Sequence, residues 1–420
     1  MKQIIRKSNI SGKIVAKSSK SCEQRVLAAS LLSRGDCIIS NFGSSDDARV
    51  AREIAKKLGL EIYECNDVLK LTPSSANSSN EIHCGESGMN ARLFAPISCL
   101  FKSSFVLTGS GSLLNRPVAS DFYIFRQMGC ILDNSDFLPI NFERTQLQSG
   151  TYNIDGSKSS QLISGLMMTL AVLPGNSELI VHNPVSISYI YLTQRIMDNA
   201  GVKCSINSNE FGNLIINISG NQTYQSGNFN IEGDWSGAAN FLVAAAITGQ
   251  VEIGGLSAES IQADKNILKI LDLANVSYHF KDDLLIVVKS EIKPFTFDAT
   301  NCPDLIPTTL ILACFADGVS KISGANRLIN KESSRAEVMK QELQKTGINI
   351  EIIDDEIIIN PTSELKPAIF DSHNDHRIAM ALSVLGIAID GESTIENSEC
   401  VNKSWSDYFK DLKTLLNNNE

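Results

Sequence analysis

At 420 residues, 43% hydrophobic and 20% charged, with a formal net charge of −10, the chain has the composition of a soluble globular protein large enough for two cores. Its acidity excludes a nucleic-acid partner, whose phosphates require a basic face. No apolar run approaches the roughly 18 residues of a membrane span and the polar start Met1 to Lys13 has no secretory apolar core, so a cytoplasmic protein is expected.

In chain order, one pattern recurs six times: an apolar helix ends, a short break follows, then a strand and an amphipathic helix. The breaks fall at Arg34-Gly35, Lys102-Ser103, Pro174-Gly175, Thr248-Gly249, Asp317-Gly318 and Asp390-Gly391, roughly 70 residues apart. This period exceeds that of a solenoid and suits a small βαβαββ unit. Six units divide into two domains of three.

The polar clusters sit at the starts of the predicted helices. Ser18-Ser19-Lys20-Ser21 precedes a helix through Val26 to Leu32, so Lys20 and Arg25 lie near its positive end, where a cation is unfavourable unless an anion binds. Ser21 and Arg25, four apart, share a face and are expected to aim a hydroxyl and a guanidinium at one spot. Gly85-Glu86-Ser87-Gly88 sets two glycines before an apolar helix with Arg92 one turn on, and Ser159-Ser160-Gln161 opens a third helix in the same way. Each is a phosphate or carboxylate site or an ordinary cap. Asp304, after Pro303 and before the run Leu305 to Ala316, is an N-cap or a functional carboxylate. Lys331-Glu332-Ser333-Ser334-Arg335 opens a helix whose Val338, Met339 and Leu343 face a core. His373-Asn374-Asp375-His376-Arg377 opens another, and Lys403-Ser404-Trp405 follows near the end. The two histidines lack the spacing and companions of a zinc site, and ten cysteines scattered without CxxC pairs read as reduced thiols.

Taken in order, Lys20-Ser21-x-x-x-Arg25, Gly85-x-x-Gly88-x-x-x-Arg92, Arg116-Pro117, Asp155-Gly156-Ser157-x-Ser159-Ser160-Gln161, Lys331-Glu332-Ser333-x-Arg335, Asn374-Asp375-His376-Arg377 and Lys403-Ser404 resemble the EPSP synthases. The likeness spans almost the whole chain. It implies an enolpyruvyl transferase-like α/β fold, a two-domain inside-out α/β barrel with three βαβαββ repeats per domain. The expected domains are 11–227 on the shikimate 3-phosphate side, and 1–10 with 228–420 completing the phosphoenolpyruvate site.

The resemblance implies transfer of the enolpyruvyl group of phosphoenolpyruvate to the 5-hydroxyl of shikimate 3-phosphate by addition and elimination, in aromatic amino acid biosynthesis. Asp304 would be the base, Glu332 the proton donor, and Lys20 and Lys403 would stabilise charge at the reacting centre. Lys20, Ser21, Arg25, Ser159, Ser160, Gln161, Ser186, Tyr189, Asp304 and Lys331 would hold shikimate 3-phosphate. Lys20, Gly88, Arg116, Gln161, Arg335, His376, Arg377 and Lys403 would hold phosphoenolpyruvate. No metal or cofactor is implied, the partners are these small anions, and a monomer is expected. The chain departs from the family at Glu86 and Met89 beside the second glycine and at Ser112, where some members carry arginine; that task is assigned to Arg116. Two alternatives are a transferase acting on a UDP-sugar and an inactive anion-binding paralogue. Against the first stand the Lys20 and Ser159-Gln161 motifs and the want of a reactive loop cysteine; against the second, the presence of both an acid and a base.

Overall fold

The computed structural model describes residues 1–75 and 79–416. The chain divides into two compact units, an N-terminal unit of residues 18–231 and a C-terminal unit of 1–17 with 232–420. The chain passes from one to the other after residue 17 and not at residue 11, because Lys13–Val15 pairs parallel with Gln250–Gly254 and so stays with the C-terminal unit.

In the N-terminal unit the helices are α1 (Lys20–Leu32), α2 (Asp46–Leu58), α3 (Gly88–Phe101), α4 (Tyr123–Gln127), α5 (Gln161–Leu170) and α6 (Ile187–Asn199). The middle repeat shows the plan. Glu81–His83 leads through α3 to a parallel partner, Ser104–Thr108, and α4 then leads to the antiparallel strands Cys130–Leu132 and Ile140–Arg144. The first repeat borrows its opening strand from the far end of the unit, where Asn228–Asn230 pairs parallel with Cys37–Ser40. The helices α1, α3 and α5 are buried almost all round and show no single polar stripe, α1 burying even Glu23, Gln24 and Arg25 of its first turns, whereas α2 buries only one face. Gly165 on α5 leaves no room for a side chain against Leu93 and Pro96 of α3, which sets the close approach of these two helices.

The C-terminal unit repeats the plan with α7 (Trp235–Thr248), α8 (Ile267–Leu273), α9 (Ile306–Ala313), α10 (Arg335–Gln344), α11 (His376–Ala388) and α12 (Tyr408–Leu415). Here α7, α9 and α11 are the buried helices. The last sheet is completed by the chain's own start, Lys2–Arg6, lying antiparallel to Glu392–Glu396. A strand follows each of the six expected breaks, and five repeats build four-stranded sheets while the last builds a three-stranded one. The outer helix of the second repeat is short: α4 has five residues, because the stretch before it is taken up by a loop and a 3-10 turn over Gly111–Asn115. No helix among the described residues is long and apolar enough to cross a membrane.

Candidate active site

In the N-terminal unit the first turns of α1, α3 and α5 lie together. Gln24 of α1 donates to Asn90 of α3 at 2.7 Å, Arg92 of α3 donates to Gln161 of α5 at 3.2 Å, and Arg25 of α1 donates to Ser164 of α5 at 3.1 Å. Three positive helix ends therefore converge, an arrangement that favours an anion. Lys20, the first residue of α1, bonds Asp47 of α2 at 2.8 Å. Arg92 and Arg116 both approach Gly88: a Cβ there would meet Arg116 Nη2 at 2.8 Å and Arg92 Nη1 at 3.1 Å. Arg116 Nε and Nη1 and Arg92 Nε are buried without hydrogen-bond partners among the described residues. Burial, helped by the neighbouring Arg116, pulls Arg92 down to about 10. Two arginines with unused donors beside a side-chain-free backbone can take an oxyanion in a fork geometry.

Arg25 departs from its expected aim. It is 1% exposed and donates from Nη1 to the Ser21 carbonyl, not the hydroxyl, at 2.8 Å, and from Nε to Thr193 of α6 at 2.8 Å, over the Tyr189 ring. It ties three helices together, and burial draws its pKa down to about 10. Ser159 accepts from the Gln161 amide at 3.2 Å, and Ser160 opens α5 without capping it through its side chain. Ser186, buried at the start of α6, holds a left-handed φ of 52°, which a serine adopts only where its surroundings impose it. Glu86 turns to the loop beside it and accepts from the Ser112 amide and hydroxyl at 3.2 and 3.0 Å. The departures at 86 and 112 thus meet each other, and Met89 is buried.

In the C-terminal unit the constellation is built on Arg335, at the start of α10 and 1% exposed. Its Nε donates to Asp375 at 2.7 Å, its Nη1 to Asp304 Oδ1 at 2.8 Å, and its Nη2 to Glu332. Asp304 also accepts from Lys331 at 3.1 Å and from Arg377 at 2.9 Å. Burial raises the pKa of Asp304, but Arg377, Lys331 and Arg335 together hold it well below the carboxylate range. It lies in the 3-10 turn Pro303–Leu305 ahead of α9 and caps nothing. Asp375 is the N-cap of α11, accepting from the Arg377 amide at 3.0 Å. His373 and Asn374 before it are both left-handed, and Lys403 donates to the Asn374 carbonyl at 2.7 Å. His376 is buried, with Nδ1 4.0 Å from Asp375.

Behind Arg377 lies Asp264, fully buried, taking the Ser236 hydroxyl at the start of α7. Burial and the nearby Asp304 push it up to about 6. The sequence reading missed Asp47 and Asp264, and named Asp375 only within the motif Asn374-Asp375-His376-Arg377, without a role. The only signal for Asp47 and Asp375 was an acid at a helix start, which is also what the helix dipole alone favours.

A family model described as EPSP synthase (3-phosphoshikimate 1-carboxyvinyltransferase) matches residues 4–412. A 3-phosphoshikimate 1-carboxyvinyltransferase of Clostridium novyi is 33% identical over 421 residues, 97% of this chain and 96% of the relative. One of Brachyspira hyodysenteriae is 33% identical, covering 98% of both. Among solved structures, an EPSP synthase from Acinetobacter baumannii superposes with a TM-score of 0.81 at 22% identity, covering 99% of this chain and 98% of that one. The enolpyruvyl transferase NikO from Streptomyces tendae superposes with a TM-score of 0.76 at 15% identity, covering 98% and 96%.

Proposed function

The chain belongs to the EPSP synthase family, and from that premise we propose that Asp304, Glu332, Lys20 and Lys403 carry out its reaction. The enolpyruvyl group of phosphoenolpyruvate is transferred to the 5-hydroxyl of shikimate 3-phosphate, with release of phosphate. The observation that supports this assignment is that Asp304 and Glu332 both bond the buried guanidinium of Arg335. Two carboxylates so placed can divide the proton work: one accepts from the attacking hydroxyl, the other delivers to the methylene, and the elimination step reverses the flow. Lys20 and Lys403 stabilise charge on the tetrahedral intermediate and the departing phosphate.

Shikimate 3-phosphate is assigned to Lys20, Ser21, Arg25, Ser159, Ser160, Gln161, Ser186, Tyr189, Asp304 and Lys331. Arg25 contributes chiefly by fixing α1 against α5 and α6, since most of its donors are used inside the fold. Phosphoenolpyruvate is assigned to Lys20, Gly88, Arg116, Gln161, Arg335, His376, Arg377 and Lys403, with Arg92 added beside Arg116. The enzyme acts as a cytoplasmic monomer in this reading, and neither metal nor cofactor enters it.

Purified protein is expected to release phosphate from phosphoenolpyruvate only when shikimate 3-phosphate is present. Release with a UDP-sugar and none with shikimate 3-phosphate would overturn the assignment, and release with neither would leave the inactive paralogue. Gly88→Ala tests the arginine pair. The added methyl falls between the two guanidinium groups, so the KM for phosphoenolpyruvate should rise about tenfold or more, the usual effect of one misplaced methyl group in a binding site. The KM for shikimate 3-phosphate should move less than twofold in the same steady-state measurement.

A further inference from the structure

The seam between α1 and α2 carries two ion pairs of opposite sense. At its outer end Lys20 of α1 meets Asp47 of α2 at 2.8 Å. One turn further along, Glu23 of α1 meets Arg52 of α2 at 3.2 Å, with the Glu23 side chain 0% exposed. These inner partners also grip the turn that leads into α2. Glu23 Oε2 accepts from the Gly43 amide at 2.6 Å, while Arg52 Nη2 donates to the Gly43 carbonyl at 2.9 Å. Both peptide groups flanking Gly43 are thereby fixed, and Phe42 lies against the guanidinium with its ring centroid 5.3 Å from Arg52 Cζ. A methyl at Gly43 would meet Ser18 Oγ at 2.8 Å and Glu23 Oε2 at 3.0 Å. A side chain there would displace Ser18 or Glu23.

Stability does not explain this arrangement. Burial pushes Glu23 up to about 7, although Arg52 and the Gly43 amide both pull it down. Because the folded value lies above the ordinary one, ionising this carboxyl inside the fold is unfavourable, and stability falls as pH rises between the two. Replacing a buried pair of this kind by apolar residues is often neutral for folding, so its presence is weak evidence of a stabilising role. Three residues separate Gly43 from Asp47, whose carboxylate bonds Lys20; Asn90 donates to the Asp47 carbonyl at 3.1 Å.

We infer that the Glu23–Arg52 pair is a positioning strut: it clamps the turn at Gly43, and through it holds Asp47 where it aims the Lys20 ammonium. The inference rests on the placing of Lys20 at the reacting centre. Displacement of a reacting group by about 1 Å can lower turnover by up to about a hundredfold. Glu23→Gln keeps the shape but loses the charge and one of the two acceptors, so it cannot serve the Gly43 amide and Arg52 together. It should reduce kcat about tenfold, with KM for either substrate changed less than twofold. In an Asp47→Asn background, where the strut has nothing left to aim, the same substitution should change kcat less than twofold, because residues acting through one another are not additive. The fall in melting temperature should be equal in the two backgrounds. Arg52→Lys, which keeps the charge and gives up the fork that joins Glu23 to the Gly43 carbonyl, should show the same coupling and serves if Glu23→Gln does not fold. A wild-type kcat in Glu23→Gln, or an equal loss in both backgrounds, overturns the strut. Undiminished turnover in Lys20→Ala overturns instead the placing of Lys20, so the two failures are told apart.

Discussion

Asp304→Asn is expected to lower kcat by about a thousandfold, within the range of about 10²–10⁴ that a positioned acid or base contributes, while shikimate 3-phosphate still binds. The carboxylate accepts from Lys331, Arg335 and Arg377 at 3.1, 2.8 and 2.9 Å, and these cations hold it well below the carboxylate range against the opposing effect of burial. A carboxylate so stabilised is a weak base. It gains basicity only when the cations turn to another anion, and in the proposed assignment Arg335 and Arg377 do so when phosphoenolpyruvate binds. The acid limb of kcat/KM, set by the free enzyme, should therefore lie at lower pH than the acid limb of kcat, set by the complex. The stability term has the opposite direction from that of Glu23: a depressed pKa stabilises the fold at all pH above the ordinary aspartate value, and this is lost as pH falls through the folded value. Calorimetric binding of shikimate 3-phosphate with single-turnover kinetics on the variant checks both parts. Unchanged turnover would remove Asp304 from the base role.

The repeat architecture was legible because each unit announces itself by the end of an apolar helix, a break and a strand, and helices such as α7, buried over their whole length, carry so few polar residues, Ser236, Asn240 and Thr248, that the apolar run stands out. The clustering of site residues at helix starts was legible for a related reason, since a cation at a positive helix end is locally unfavourable and stands out. Partners were not legible. Asp47 and Asp375 look like ordinary first-turn acids until the fold brings Lys20 and Arg335 to them. The shared face of Ser21 and Arg25 was a sound inference about the helix surface, yet the guanidinium reaches past it to Ser164 and Thr193, whose positions only tertiary packing sets. Glu86 beside a candidate phosphate site was a local contradiction. It resolves through Ser112, which is distant in sequence and lies against it in the fold.

Arg335→Ala should give the largest loss of stability of any single change in the C-terminal unit, and abolish turnover with it. Its guanidinium serves three carboxylates at once, and Asp375 among them is 0% exposed. Removing one partner of a buried pair costs about 3–5 kcal/mol, since the remaining charge has no solvent to replace it. For a unit of this size that corresponds to a fall of about 10 °C in melting temperature. The pH dependence is the sharper test. Without Arg335, the three carboxylates face one another and their pKa values rise, so the variant gains protons that the native protein does not hold. The deficit should be greatest above neutral pH and shrink as the pH falls and the carboxylates are neutralised. Scanning calorimetry at acidic and alkaline pH should show the two melting curves drawing together on the acid side. Arg335→Lys, which supplies one charge without the fork, should fall between the native protein and Arg335→Ala in stability and remain inactive, because an ammonium cannot bond Asp375 and Asp304 in the same plane. A deficit that is the same at both pH values would mean that Arg335 acts by filling space and not by holding these carboxylates apart.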